Sequence, residues 1–148
     1  MAAPRTEYLP DPEATAAAGQ RIASGLGPGA VVCLWGDLGA GKTALARGIL
    51  RGLGHMGEVP SPTFNLVLTY ETPAGPVWHF DLYRLGGPAE VLELGIEDAF
   101  ADGISLIEWP DRLGSLLPDD RLDVRLEIAE NGGRRLTLEA RGTQAPPC

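Results

Sequence analysis

A glycine-rich segment near residue 40 constrains the fold of this 148-residue chain more than any other feature. Gly36–Thr43 reads GDLGAGKT and lies between two segments of different hydrophobic periodicity. Ala30–Trp35 (AVVCLW) is a short apolar run, typical of a buried strand, and Lys42–Leu53 repeats apolar residues every four positions, typical of an amphipathic helix. A strand, a tight turn and a helix in this order open a βαβ unit, so we predict an α/β fold.

The same segment satisfies the pattern G-x-x-x-x-G-K-[ST], whose residue types suit the phosphates of a nucleotide. Glycines allow positive φ, so successive backbone N–H groups can turn toward an anion without obstruction by side chains. The N-terminus of the following helix adds positive potential. In such a loop Lys42 reaches the β- and γ-phosphates, and the Thr43 hydroxyl takes one position on Mg²⁺. A plain glycine-rich turn is the alternative, but the flanking strand and helix favour phosphate binding.

The charged residues narrow the choice of nucleotide. Of the 12 basic residues, 11 are arginine and one, Lys42, is lysine. A Ras-like guanine site uses an N-K-x-D motif, for which no second lysine is available, so ATP is favoured over GTP. GDLGAG also lacks the glycine spacing of the G-x-G-x-x-G dinucleotide motif. The 20 acidic residues give a net charge of −8, which argues against tight nucleic-acid binding by this chain alone.

Outside this segment the sequence predicts one domain, residues 1–148, with a flexible tail at 142–148. The first ten residues are expected to be loose, and a helix is expected to start at Asp11 or Thr15. Further short helices are expected at 89–94, 96–101 and 112–117. No run approaches the roughly 20 apolar residues of a membrane span, and Cys33 and Cys148 make no disulfide framework, so a cytoplasmic location without membrane contact is expected.

Strand-like segments follow the predicted phosphate loop. Asn65–Glu71 and Val77–Leu82 are two such runs joined by a short loop, which predicts an antiparallel hairpin. Ile104–Glu108 (ISLIE) is an apolar run that predicts another buried strand. Alternating apolar residues on both sides of Asn131-Gly132-Gly133 predict a second hairpin at the C-terminus.

Two carboxylates are candidates for the acidic residue that a phosphate-loop enzyme uses with Mg²⁺. Glu108 follows the apolar run Ile104–Ile107 at the end of its predicted strand, and Asp81 lies near the end of VWHFDL. A solvent-exposed strand end and a structural ion pair with Arg84 are the respective alternatives. His79 shares a strand face with Asp81, and we expect it to support or pack rather than to bind metal.

Two further residues have open interpretations. Thr63, in SPTF, is either part of an ordinary Pro-Thr turn or a hydroxyl in a loop that senses the γ-phosphate. Trp109 is either a core residue or part of a contact surface. The two His and two Cys are scattered, which does not indicate a zinc site.

Five strings in this order and at these spacings resemble the bacterial TsaE (YjeE) family, the ATPase of tRNA threonylcarbamoyladenosine (t6A) biosynthesis. They are GDLGAGKT, SPTF, HFDLYRL, ELGIED and IEWPDRL. The resemblance covers most of Ala30–Leu113, and HFDLYR with EWP makes it more specific than a phosphate loop alone. It implies a P-loop NTPase-like mixed sheet flanked by helices, and slow ATP hydrolysis that depends on partner proteins.

The resemblance also implies roles for individual residues. Thr43 and Glu108 would hold Mg²⁺, Lys42, Asp81 and Glu108 would serve catalysis, and Thr63 and Asp81 would occupy switch-like positions. Residues of the loop and one residue of the first helix would bind ATP: Asp37, Leu38, Gly39, Ala40, Gly41, Lys42, Thr43 and Thr15. Either Arg134 or Arg135 would approach the nucleotide.

The implied partners are two ASKHA-class subunits, of the TsaB and TsaD type, that carry the threonylcarbamoyl-transfer chemistry. Their product forms on adenosine 37 of tRNAs that read codons beginning with A, and this chain would contact tRNA only indirectly. Two alternatives remain open on the same fold: a stand-alone small-molecule kinase, and a nucleotide switch without productive hydrolysis. The short chain argues against the kinase, since such enzymes usually add a lid and an acceptor pocket.

Overall fold

Seven strands build one mixed sheet in a computed structural model that describes residues 4–37, 39–60, 62, 66–86 and 88–142. The strands are β1 (Arg5–Leu9), β2 (Val31–Trp35), β3 (Val67–Thr72), β4 (Gly75–Asp81), β5 (Ile104–Glu108), β6 (Arg121–Ile128) and β7 (Arg134–Arg141). The helices are α1 (Pro12–Ala23), α2 (Lys42–Gly52), α3 (Pro88–Leu92), α4 (Ile96–Asp102) and a 3₁₀ helix (Pro110–Leu116). Among the described residues, no helix combines the length and apolar character of a membrane span.

The strand order is β1-β7-β6-β2-β5-β4-β3. The four central strands β6, β2, β5 and β4 are parallel to one another, and antiparallel pairing joins β3 to β4, β6 to β7 and β1 to β7. Every residue of β5 is buried, because its apolar run is covered on both faces. The predicted α/β fold with a mixed sheet and two antiparallel hairpins is therefore confirmed.

Two helical layers cover the sheet. One core lies under α1 and α2 and includes Leu45, Ile49 and Leu106, while the other lies under α3, α4 and the 3₁₀ helix and includes Phe80 and Ile107. The helices α1 and α2 cross at very short distance, because a Cβ on Gly19 would lie 2.7 Å from the Leu45 carbonyl oxygen. This close packing fixes α2, and with it the loop that precedes α2.

The N-terminus of the chain differs from the prediction. Residues expected to be loose form β1, an edge strand antiparallel to β7, and Leu9 is buried. The exposed edge of β7 offers unpaired N–H and C=O groups, and RTEYL contains the strand-forming residues Thr6 and Tyr8 that pair with it. Asp11, rather than Thr15, begins α1, since its Oδ1 accepts from the Ala14 N–H at 2.8 Å.

The segment after β5 also differs from the prediction. A helix expected at 112–117 is a 3₁₀ helix that begins at Pro110 and is interrupted at Gly114, where φ is 52°. Proline suits the first position of this helix, and the positive φ at Gly114 interrupts its regular turns. The predicted tail falls mostly on residues 143–148, which lie outside the described residues.

Candidate nucleotide site

The loop between β2 and α2 turns through three glycines with positive φ, namely 148° at Gly36, 81° at Gly39 and 103° at Gly41. At Gly36 an added Cβ would lie 2.5 Å from the Leu126 carbonyl oxygen, so a side chain would push the loop away from β6. Gly41 is also the N-cap of α2, and the unpaired N–H groups of the first helical turn therefore lie at the loop. Leu38 lies outside the described residues.

Lys42 folds back over this loop and is only 5% exposed. Its Nζ donates to the Gly36 carbonyl oxygen at 2.5 Å and lies 3.6 Å from the centroid of the Trp109 ring. Burial lowers the pKa of Lys42, and the nearby carboxylates of Glu108, Asp81, Asp37 and Asp111 oppose that shift. The ammonium group thus contacts two neutral partners, the Gly36 carbonyl and the Trp109 ring. Phosphate oxygens can replace the carbonyl as hydrogen-bond acceptor.

Glu108 ends β5 directly beside the first turn of α2. The Thr43 hydroxyl is 3.1 Å from each of the two Glu108 carboxylate oxygens and donates to them. A central parallel strand and the helix after the loop thus bring together the hydroxyl and the carboxylate that the sequence analysis assigned to Mg²⁺. Glu108 is not a solvent-exposed strand end, since only 3% of it is exposed.

Asp81 lies one strand away, opposite Glu108 in the register of β4 and β5. Its Oδ1 accepts from the Tyr83 N–H at 3.1 Å, so it shapes the turn that leaves β4. It is close enough to influence the pKa of Lys42. Asp81 therefore borders the site, on the strand next to Glu108.

The donor set fits Mg²⁺ bound together with phosphates. Thr43 and Glu108 supply hard oxygen donors, and Mg²⁺ in nucleotide sites takes one or two protein ligands and keeps phosphate oxygens and waters for the rest. The described part of the chain contains no group of three or more His, Cys, Asp or Glu residues suited to an all-protein metal site. A site completed by phosphate is what these residues can form.

His79 is a neighbour of this pair that the sequence marked only as supporting or packing. Its Nε2 lies 2.6 Å from Glu108 Oε2, and the residue is fully buried. It contacts the candidate metal ligand and not the open side of the site. The alternation of side chains along HFDLYR placed His79 on the face of Asp81, but only the register with β5 shows that it reaches Glu108.

A cavity of about 220 Å³ lies on the other side of the loop. Thr15, from the buried side of α1, lines it together with Gly41 and Arg134. Of the two arginines that the sequence left open, Arg134 contacts the loop: its Nε donates to the Ala40 carbonyl at 2.9 Å and its Nη2 to the Gly39 carbonyl at 3.2 Å. Arg135, by contrast, is exposed and pairs in register with Glu127 and Tyr8.

Trp109 has a backbone conformation that the sequence did not reveal. Its φ of 59° and ψ of 54° place this bulky residue in the left-handed region, where side chains other than glycine are strained. The ring covers Lys42 and packs against Tyr83 with centroids 4.8 Å apart. Pro110 disfavours the right-handed helical region for Trp109, but a residue before proline is usually extended, so the Trp-Pro pair did not signal this conformation.

The remaining predicted site residues lie around the loop or outside the described structure. The Asp37 carbonyl accepts from the Ala40 N–H at 3.1 Å, which closes a turn inside the loop. Thr63 lies outside the described residues, so its two interpretations stay predictions. The site therefore gathers Lys42, Thr43 and Glu108 on one side of the loop and Thr15 and Arg134 on the other.

Comparison with known proteins shows a family match that covers these site residues. The family model described as "Threonylcarbamoyl adenosine biosynthesis protein TsaE" matches residues 9–136, which include the loop, both candidate carboxylates and Arg134. The chain belongs to the TsaE family. The resemblance drawn from five short strings is thereby confirmed.

Individual TsaE relatives cover most of the chain. A tRNA threonylcarbamoyladenosine biosynthesis protein TsaE from Haemophilus influenzae is 42% identical over 132 residues, which are 85% of this chain and 84% of the relative. The TsaE protein of Synechocystis is 46% identical over 114 residues, 74% of this chain and 72% of the relative. The crystal structure of YdiB from Bacillus subtilis matches with a TM-score of 0.81 and 32% identity, over 96% of this chain and 88% of that one.

Proposed function

We propose that this TsaE protein binds and hydrolyses ATP with Mg²⁺, as an accessory subunit in the threonylcarbamoyl modification of adenosine 37 in tRNAs that read codons beginning with A. One observation carries the ATPase proposal. The Thr43 hydroxyl and the Glu108 carboxylate lie 3.1 Å apart at the N-terminus of a helix that follows a glycine-rich loop. The names of the TsaE relatives support the pathway.

Each residue has a distinct task in this proposal. Free N–H groups at the loop and at the start of α2 bind phosphate oxygens, and Lys42 exchanges the Gly36 carbonyl for the β- and γ-phosphates. When bound, Mg²⁺ supplies positive charge against the phosphate oxygens during transfer. Thr43 and Glu108 hold it, and Asp81 lies at the adjacent strand end, where it can orient a water molecule.

The base side of the site is built from α1 and the C-terminal hairpin. Thr15 and Arg134 line the 220 Å³ cavity beside Gly41, and this cavity is where the nucleoside is expected. Arg134 holds the loop carbonyls of Gly39 and Ala40, so its guanidinium stabilises the loop from behind. ATP is preferred over GTP because the one lysine of the chain, Lys42, is committed to the phosphate side.

Hydrolysis by the isolated chain should be slow. Phosphoryl transfer is accelerated strongly when a guanidinium reaches the transferring phosphate. Arg134, a guanidinium that contacts the loop, is engaged with the carbonyls of Gly39, Ala40, Gly132 and Gly133. We therefore propose that two ASKHA-class partners, of the TsaB and TsaD type, complete the site and that ATP turnover cycles their complex.

Contact with tRNA is assigned to those partners. A net charge of −8 opposes binding to a polyanion, and no excess of basic residues compensates for it. Weak, salt-sensitive binding of tRNA is the most that the isolated chain should show. Tight binding at physiological salt would contradict this part of the proposal.

The pathway is tested by depleting the protein in its host and measuring threonylcarbamoyladenosine in total tRNA nucleosides. Complementation by the wild type should restore the nucleoside, and Lys42→Ala should not, while the exposed Arg135→Ala serves as the matched control. An unchanged nucleoside level after depletion would remove the pathway assignment. Single-turnover hydrolysis with and without the partners separates the ATPase from a non-hydrolysing switch, and phosphate transfer to a small hydroxyl compound would indicate a kinase.

A further inference from the structure

Three side chains from three elements form a short chain of hydrogen bonds beneath the phosphate loop. His79 of β4 contacts Glu108 of β5 through Nε2 and Oε2 at 2.6 Å, and Glu108 in turn accepts from Thr43 of α2 at 3.1 Å. A carboxylate only accepts hydrogen bonds, so the Nε2–H of His79 donates. The imidazole binds Oε2 of the Glu108 carboxylate from the core, and Thr43 contacts the same carboxylate from α2.

The surroundings of His79 are those of a core residue. It shares one face of β4 with Val77 and lies opposite Leu106 of β5, and both of these residues are fully buried in the core under α1 and α2. The other ring nitrogen, Nδ1, is buried without a hydrogen-bond partner among the described residues. An unpaired buried polar atom costs free energy, so an apolar side chain of similar size would suit the packing better. Packing alone therefore does not account for an imidazole here.

We propose that His79 is a positioning residue for Glu108: its Nε2–H fixes the orientation of the carboxylate, so that Glu108 and Thr43 present their oxygens to one Mg²⁺ ion. This inference rests on the proposed Mg²⁺–ATP function and extends it beyond the residues that touch the metal. Groups that hold a metal ligand in place commonly change metal affinity or activity by about 10- to 100-fold when they are removed.

The donor type is part of the inference. An arginine at this position would neutralise the carboxylate and compete with Mg²⁺ for its oxygens. The imidazole donates one hydrogen bond, to Oε2, and leaves the other lone pairs of the Glu108 carboxylate to Thr43 and the metal. The same geometry places an N–H at Nε2, the ring nitrogen that faces Glu108.

The test compares His79→Leu with His79→Gln. Leucine removes the donor and keeps an apolar residue in the core, whereas glutamine can place an N–H donor close to the position of Nε2. The affinity for a non-hydrolysable ATP analogue is measured by calorimetry with Mg²⁺ and with EDTA, alongside single-turnover hydrolysis and thermal unfolding. Long-range ¹H–¹⁵N spectra of the wild type and of Glu108→Gln report the protonated ring nitrogen of His79.

His79→Leu should weaken Mg²⁺-dependent binding and slow hydrolysis by about 10- to 100-fold, with binding in EDTA and the unfolding temperature little changed. His79→Gln should recover most of the loss, and the His79 signals should shift in Glu108→Gln. Wild-type behaviour of the leucine variant would overturn the positioning role, as would equal losses in both variants with a matching drop in unfolding temperature. A wild type that binds the analogue equally well with Mg²⁺ and EDTA would instead overturn the proposed function itself.

Discussion

Two buried carboxylates, Glu108 and Asp123, lie in neighbouring parts of the same sheet and have opposite surroundings. Asp123 of β6 accepts from the Trp35 indole at 2.8 Å, from Arg121 at 2.9 Å and from Arg141 at 2.5 Å. Glu108 of β5 accepts only from a hydroxyl and an imidazole within the described structure. The two residues have similar exposed fractions, 3% for Glu108 and 8% for Asp123.

This difference shows that burial alone does not distinguish a structural carboxylate from one at a functional site. Two guanidinium groups neutralise Asp123. Trp35 and Arg141 tie β6 to β2 and β7, whereas Arg121 lies on β6 itself. Among the described residues, Glu108 has no lysine or arginine within 4 Å and its only basic partner is the His79 imidazole, so no guanidinium or ammonium group ties up its carboxylate. A buried carboxylate with unmet charge at the end of a parallel strand indicates a site, whereas a saturated one indicates a structural tie.

Of the substitutions that test this difference between the two carboxylates, the one at Glu108 should have the largest effect, a loss of ATP hydrolysis. Glu108→Gln removes the charge that faces Thr43 and should lower single-turnover ATP hydrolysis by more than the roughly 10- to 100-fold typical of residues that only support a metal ligand. The free energy of unfolding should change by no more than about 1 kcal/mol. Near-normal hydrolysis in the presence of the partners would show that Glu108 has no role at the metal.

The reverse pattern is expected for Asp123→Asn. Arg121 and Arg141 lose their shared carboxylate, and the variant should lose about 2 kcal/mol of stability in urea unfolding. The loss is no larger because the Arg141 side chain is 46% exposed and solvent screens its ion pair. Hydrolysis should stay within about threefold of the wild type. A large loss of hydrolysis in a folded Asp123→Asn protein would erase the distinction between the two carboxylates.

A smaller effect is expected on the other side of the loop. Arg134→Ala removes the hydrogen bonds to the Gly39 and Ala40 carbonyls. About 1 kcal/mol of lost loop stabilisation corresponds to roughly a fivefold weaker Kd for ATP. Arg135→Ala, one residue along the same strand but exposed, is the control and should bind as the wild type does. Equal losses in both variants would point to net charge rather than to loop contacts.

The smallest effect is expected on the reactivity of Cys33, which pairs with Asp123 in the register of β2 and β6. Burial, with a lesser contribution from Asp123, raises the pKa of the Cys33 thiol to about 12. At pH 8 roughly one thiol in ten thousand is therefore ionised. Cys33 should resist an alkylating reagent in the native protein, as followed by peptide mass spectrometry, and react after unfolding. Asp123→Asn should raise native labelling by less than about tenfold, and a larger rise would mean that the variant opens this part of the sheet.

The sequence predicted most of the fold because its signals were local. The apolar runs at β2 and β5, the periodicity of α2 and the glycine pair before β7 each lie within a few residues. The strand β1 was missed because its partner, β7, is more than 120 residues away along the chain, and its edge position gives only weak alternation. Pairing over such a separation has no local signature.

In the candidate site, too, the residues with a local sequence signal were predicted and those brought in by the fold were not. Lys42 and Thr43 follow from one motif, and Glu108 from a strand end. The contacts that tune them come from elsewhere in the fold: His79 reaches Glu108 through the register of β4 and β5, and Arg134 reaches the loop across 94 positions of the chain. The left-handed conformation of Trp109 over Lys42 is a tertiary feature that residue type did not indicate.

The claim that Glu108 and Thr43 form the Mg²⁺ site is tested most directly by a Mg²⁺ titration of single-turnover ATP hydrolysis. Wild type, Glu108→Gln and Asp123→Asn are measured side by side with enzyme in excess over ATP. The half-saturating Mg²⁺ concentration should rise at least about tenfold in Glu108→Gln and stay unchanged in Asp123→Asn. A Glu108→Gln protein that titrates like the wild type, or equal shifts in both variants, would contradict the assignment.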